Sequence, residues 1–355
     1  MNPRERILTT LRRQQPDRMP WTLKMTDPVI EHFRKTTGSC APADYYDFDC
    51  RDVGMSESSR ATDFQPYYRD RVFSGPVSFN PDWGYAQVAM AAEVPFHHWE
   101  SPFAGREFTV ADALSYPISD LSDPARYTDV QRQNDQWHAK GYATSSVYGF
   151  STFDLSWLVR GYQEFLMDMA METEASQVLM DRVSDAVAAH VQNMAARGTD
   201  IVGVGEDVGN QLALMMNPRV WRSQIKPRFA KIIRAAKAAR PDVLFFYHSD
   251  GQIQEVIPDL IEIGVDILNP IQPECMDPVA IKGRYGDRLA LWGAVGTQTT
   301  MPHETPQQVR DCVRHLFETV GKGGGFLCAP SHTLEPEVPW ENVEAFVAAC
   351  RDCAY

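Results

Sequence analysis

The stretch FFYHSDG, residues 245–251, runs from residues that favour β structure straight into His248, Ser249 and Asp250. On an extended segment, residues two apart share a face, so the imidazole of His248 and the carboxylate of Asp250 point the same way. A second imidazole, His332 in LCAPSHTLEP, follows another strand-like run. Two imidazoles and a carboxylate suit Zn²⁺, or an Fe²⁺ or Mn²⁺ site with open positions. Cys328, or a carboxylate from Glu206 or Asp207 in VGVGEDVGNQ, could add a fourth ligand. Glu206, Asp207 and Asp250 are also the candidates for proton transfer. Asn269 and Gln272, in LNPIQPE, end a further strand-like run and are candidates to contact a substrate. Each residue alone has a plainer reading. Asp207 or Asp250 could cap a turn or helix, and a lone buried histidine is usually a hydrogen-bonded core residue.

Other chemistry-bearing residues form weaker patterns. His97 and His98 are adjacent, so on a strand their side chains diverge; His97 could still reach a substrate. Trp83, Tyr85, Phe96, Trp99 and Phe103 could form an aromatic or apolar substrate wall, or simply pack as core. CRDC, Cys350 to Cys353, has CxxC spacing without a second pair. There is no GxSxG, no GxxxxGK[ST], and no GxGxxG at a strand–helix junction.

These residues need elements to bring them together. Residues 1–20 read as an amphipathic helix with Ile7, Leu8 and Leu11 on one face, and MPWTLKM as a short strand. Residues 27–140 are irregular and rich in aromatic, proline and acidic residues. From 141 onward strand-like and helix-like runs alternate strictly, including a helix with Asn217 as N-cap and another over 253–263 ended by Gly264. Such alternation gives parallel strands joined by crossover helices. The strand runs are apolar on both faces, as in a sheet covered on both sides. The expected architecture is an α/β fold: one (β/α)8 TIM barrel over residues 1–355, with an irregular N-terminal elaboration in 1–140 and regular units in 141–355. The carboxyl ends of barrel strands meet at one mouth, and four of them here carry polar residues.

The net charge of −13 argues against nucleic acid or an anionic membrane as partner. The first residues lack the apolar run of a secretory signal, and no stretch reaches the ~18 apolar residues of a membrane span, so a cytoplasmic protein is expected. The seven cysteines then read as thiols.

NPRERILTTLRRQQPDRMPW, GEDVGNQLALMMNPRVWRSQIKPRFAKII, YHSDGQIQEVIPDLIEIGVDILNPIQPE and GGGFLCAPSHTLEPEVPWENVEAF together resemble the uroporphyrinogen decarboxylase superfamily. That resemblance implies a (β/α)8 barrel and one of two chemistries. True uroporphyrinogen decarboxylases use no cofactor and hold the substrate's carboxylates with an arginine-rich segment after the first strand. The corresponding PWTLKMTDPVIEHF has one lysine and no arginine pair. The corrinoid-linked methyltransferases instead bind zinc through an H-x-C strand end and a late third ligand. Carried over, His248 matches the histidine, Asp250 stands where the cysteine would be, and His332 matches the late ligand. A ligand set without thiolate suits Lewis-acid work on an oxygen or nitrogen better than activation of a thiol. The resemblance therefore implies a metal-dependent methyltransferase or demethylase acting on a small O- or N-methylated substrate, with a corrinoid supplied by a partner protein. The alternative is a decarboxylase or lyase acting on a small carboxylic acid without corrinoid. A homodimer is compatible with either.

Overall fold

The computed structural model describes residues 1–60, 62–89 and 97–355. Its strands, in chain order, are β1 (Cys50–Asp52), β2 (Val77–Phe79), β3 (Ala86–Ala89), β4 (His97–Glu100), β5 (Ala143–Tyr148), β6 (Ile201–Gly205), β7 (Leu244–His248), β8 (Ile267–Asn269), β9 (Ala290–Val295) and β10 (Phe326–Pro330). Seven of them form one parallel sheet in the order β1-β5-β6-β7-β8-β9-β10, with helices in the crossovers. The stretch MPWTLKM supplies an eighth stave beside β10. Trp21 bridges Cys328 in parallel, the Cys328 N–H donates to the Pro20 carbonyl at 3.0 Å, and the Thr22 N–H donates to the Cys328 carbonyl at 3.0 Å. On its other side Trp21 packs against Tyr46 and Phe48, just before β1. This is the expected (β/α)8 class. The stave forms isolated bridges rather than a ladder, and Pro20 within it has no N–H to donate.

Strand parity divides the core in two. Ala143, Ile201, Leu244, Phe246, Ile267, Ala290, Leu327 and Ala329 form one cluster with Ile7 and Leu11: the barrel interior. The alternate residues, among them Val202, Val204, Phe245, Tyr247, Leu268, Leu291 and Cys328, belong to the larger cluster under the helices. The first helix, Pro3–Leu11, is therefore a plug rather than a surface helix. Asn2 caps it in a reciprocal capping box with Glu5, and Pro3 sits at its first turn. It ends at Leu11, nine residues short of the expected limit, where Arg13 takes φ 63°. Burying Ile7 and Leu11 contributes roughly 1.5–3 kcal/mol each. The Arg4 guanidinium anchors the plug to Asp200, just before β6, with hydrogen bonds of 3.0 and 2.7 Å.

Of the crossover helices, Glu174–Ala196 is capped by Thr173 and buries Leu179, Val183, Val187 and Val191. Asn217 caps the turn that opens the next helix, and Gly264 ends Ile257–Ile263 at φ 104°. That helix starts four residues later than 253, and its N-cap position is Val256. Residues 251–253 are held instead by loop contacts: the Gly251 N–H donates to Gln272 at 2.9 Å and the Gln252 N–H to the Asn210 carbonyl at 2.7 Å. The irregular N-terminal half contributes a separate antiparallel sheet, β2-β3-β4. Among the described residues, no helix is long and apolar enough to cross a membrane.

Candidate metal centre

His248 closes the interior row Leu244, Phe246, His248 of β7, so its ring stands at the mouth of the barrel. Its Nδ1 lies 2.5 Å from Asn269 Oδ1 at the end of β8. Asn269 Nδ2 donates to the Trp292 carbonyl at 2.8 Å, which leaves Oδ1 as an acceptor. The Nδ1 must then carry a proton, which leaves Nε2 as the ring nitrogen that can offer a lone pair to an ion. That Nε2 faces two carboxylates, 3.8 Å from Asp207 Oδ1 and 3.9 Å from Asp250 Oδ2. The Asp250 N–H donates to Asp207 Oδ1 at 2.9 Å, locking the β6 and β7 loops together. Asp250 does not cap the following helix. Its Oδ2 is 4.0 Å from Nε2 of His332, which enters from the end of β10 and is half exposed.

One ligand atom each from Asp207, His248 and Asp250 lies within 4.8 Å of the others. Around an ion with bonds near 2.0–2.2 Å, neighbouring ligand atoms sit about 3.4 Å apart when tetrahedral and up to about 4.2 Å when opposed. The group fits a divalent cation with small side-chain adjustments. The electrostatics agree. Burial raises the Asp250 carboxyl, and Asp207 adds to the rise against the lowering influence of His248 and His332. Among the described residues, Asp207 and Asp250 form ion pairs with histidines only. A bound dication would supply the missing positive charge.

The other sequence candidates divide. Asp207 joins the cluster, but its neighbour Glu206 faces the opposite way. Glu206 is fully buried and accepts the Phe153 N–H at 2.8 Å, at the start of helix Thr152–Arg160. Its other oxygen has no partner, and burial pushes its carboxyl up to about 7. Cys328 is not near the centre: it is fully buried on the helix-facing side of β10. Asn269 spends both polar ends on positioning His248 and the Trp292 carbonyl. Gln272 likewise accepts the Gly251 N–H and donates to Gln211 at 3.1 Å, so it orders the loop that carries Asp250. Trp83 is core, 2% exposed, with its indole N–H on the Tyr148 hydroxyl at 2.7 Å. His97 opens β4, and its side chain lies outside the described residues.

Asp154, in the first turn of helix Thr152–Arg160, escaped sequence reasoning. Its carboxylate accepts the Asp207 N–H at 3.0 Å and the Trp157 indole N–H at 3.2 Å. Burial, with repulsion from Asp207 and Glu206, raises it well above the usual carboxylate value. The signal was present: GFSTFD follows β5 at the same end of the barrel as the four strand ends already singled out.

If Asn269 sets the tautomer and aim of His248, Asn269→Ala should bind zinc about 10–100-fold more weakly than the wild type while folding normally. Calorimetric zinc titration and thermal melts of the two proteins check this.

The profile of the uroporphyrinogen decarboxylase (URO-D) family matches residues 145–353. A uroporphyrinogen decarboxylase of Psychromonas ingrahamii is 27% identical over 187 residues, which are 51% of this chain and 49% of that protein, so this match spans about half of each. One from Pseudomonas fluorescens (strain Pf-5) is 22% identical over 98% of this chain and 96% of its own. The methylcobamide:CoM methyltransferase MtaA of Methanosarcina barkeri is 22% identical over 53% of this chain and 52% of its own. In three dimensions, a methyltransferase from Methanosarcina mazei aligns over 99% of both chains with a TM-score of 0.67 at 14% identity, a likeness of fold. The family profile covers more than half of the chain, from β5 through the last helix, and the chain belongs to the uroporphyrinogen decarboxylase (URO-D) family.

Proposed function

We propose that this protein is a metal-dependent methyltransferase that moves a methyl group between a small O- or N-methylated compound and a corrinoid carried by a partner protein. The observation that carries this reading is the Nε2 of His248 facing two carboxylates at 3.8 and 3.9 Å. A relative whose name specifies methylcobamide:CoM methyltransfer supports it. His248, Asp250 and Asp207 would hold the ion, with His332 beside them. A divalent ion held there supplies Lewis acidity to the heteroatom that parts from the methyl group.

The chain's own residues do the rest. Asn269 holds the His248 ring, and Gln272 holds the Asp250 loop. Asp154 fixes the Asp207 backbone, leaving its side chain at the rim of the mouth. Of the adjacent carboxyls, Asp207 and not the enclosed Glu206 reaches the mouth, and there it would serve as a ligand rather than as a proton donor. A hard nitrogen–oxygen set favours an oxygen or nitrogen substrate over a thiol.

A second reading, decarboxylation of a small acid without corrinoid, draws support from the relatives named uroporphyrinogen decarboxylase and from the buried pair Asp154 and Glu206. Uroporphyrinogen itself fits poorly. The lysine of PWTLKMTDPVIEHF, Lys24, is exposed, with Asp52 at 3.8 Å as its partner, so the segment offers no clamp for many carboxylates. Incubating zinc-loaded protein with free cob(I)alamin and a panel of methyl ethers and methylamines separates the two. Methylcobalamin formation, followed by its visible spectrum, is expected. CO₂ release from small acids with no methylcobalamin would overturn the methyltransferase reading.

A further inference from the structure

Next to Asp154, which holds the Asp207 backbone, lies a group of partly open rings: Phe150 and Trp157 rest against the core, while Trp99 and Tyr162 are exposed. Trp83, Tyr85, Phe103 and Tyr116 are at most 6% exposed, whereas Trp99 is 38% and Tyr162 40% exposed. Trp99 lies against Phe150 with centroids 5.7 Å apart and planes at 86°, and against Trp157 at 5.9 Å; Trp157 meets Tyr162 at 5.5 Å and 88°. Phe150 follows the carboxyl end of β5, Trp157 and Tyr162 belong to the helices after it, and Trp99 reaches over from β4. The Tyr162 hydroxyl contacts Met215 Sδ at 3.3 Å, so the loop after β6 closes one end. Val147, on the interior face of β5, is 37% exposed, and its partner across the ladder is Gly203, which has no side chain.

The group adjoins the metal centre through the Asp154 side chain. Asp154 takes the Trp157 indole N–H on one oxygen and the Asp207 N–H on the other. Both oxygens are thus engaged with N–H donors of the protein. Aromatic boxes also hold cations, so choline is the probe that separates a cation from a neutral planar group. Offset or edge-on contact with several rings rewards an aryl group beyond its buried area.

We propose that Trp99, Phe150, Trp157 and Tyr162 form the substrate wall and bind the aryl ring of a methoxylated aromatic compound, with its methylated oxygen toward His248, Asp207 and Asp250. The proposal rests on the methyl-transfer reading for what happens to that oxygen, but not for the binding of the ring.

The test is calorimetric binding of 1,2-dimethoxybenzene and its saturated counterpart, 1,2-dimethoxycyclohexane, to the zinc-loaded full chain. Two ring contacts predict about tenfold tighter binding of the aromatic compound. Trp99→Leu and Tyr162→Leu, both at exposed positions, should each cut this preference severalfold, while Trp157→Phe retains most of it. Equal affinity for the two probes, binding of neither, a preference unchanged in both leucine variants, or tighter binding of choline than of either ether would overturn the aryl wall. Methyl transfer to cob(I)alamin is read in parallel. Ring preference without transfer from any donor contradicts the methyltransferase reading alone; transfer from aliphatic ethers without ring preference contradicts the wall alone.

Discussion

His248→Ala is expected to lower the rate of methyl transfer to cob(I)alamin by about a thousandfold or more, because Lewis-acid stabilisation is worth several kcal/mol and each 1.36 kcal/mol is about tenfold. The fold should survive. The His248 side chain is 23% exposed, and its removal at the mouth opens no sealed cavity. Its partner Asn269 keeps the Trp292 carbonyl and gains access to water. A melting temperature close to wild type with a rate reduced this far would separate loss of the centre from loss of the structure. His332→Ala should cost less, since that side chain is 52% exposed and approaches only Asp250, at 4.0 Å. A His248→Ala enzyme with wild-type rates would remove His248 from the chemistry.

The largest expected effect on stability lies at the other end of the barrel. Asp200 is inaccessible to solvent, yet it accepts two hydrogen bonds from Arg4, one from the Thr144 N–H at 3.2 Å, and contacts His138 Nε2 at 2.9 Å. It joins the plug helix to β5 and β6. Asp200→Ala strands these donors, and breaking a buried ionic network costs about 3 kcal/mol, the lower end of the usual range because Arg4 is one-third exposed and can turn to water. For a chain of this length that is a fall in melting temperature of roughly 4 °C. Asp200→Asn, which keeps the shape and one acceptor, should lose less.

The same carboxylate sets a pH dependence. Burial pushes Asp200 up, but the Arg4 hydrogen bonds and the charges of His138 and Arg4 outweigh it and hold the group below 3.8. A depressed carboxyl stabilises the fold above its unfolded value and loses that contribution as pH falls through its folded value. Wild-type stability should therefore fall more steeply below about pH 4 than that of Asp200→Asn. Parallel acid-side melts of the two proteins check both the size and the sign.

Much of this arrangement was legible in the sequence, for reasons that individual residues make plain. The alternation after residue 141 gave the barrel because apolar strand runs and capped helices follow local rules, as at Thr173 and Asn217. His248 and Asp250 were found together because a two-residue spacing on an extended chain fixes a shared face. That rule also says that Glu206 and Asp207 diverge, but not which of them looks into the mouth. The answer came from the helix after β5, whose first N–H groups claim Glu206. Cys328 misled because FLCAP is apolar on both faces, so its pattern carries no inside or outside. The aromatic N-terminal half was least legible. Trp83 and Trp99 occupy similar text, yet Trp83 is core and Trp99 is open, a difference decided by long-range packing on β5 and its helix. Asp154 was hidden by its helical context, where an acidic first turn is ordinary.

The central claim is that Asp207, His248 and Asp250 bind one divalent ion. Its most direct test is zinc titration of chelator-stripped protein by calorimetry, paired with elemental analysis of the dialysed complex. One zinc per chain is expected for the wild type, with none retained by the Asp207→Ala/His248→Ala/Asp250→Ala triple variant. Absence of saturable uptake by the wild type, or one zinc per chain in the triple variant, would contradict it.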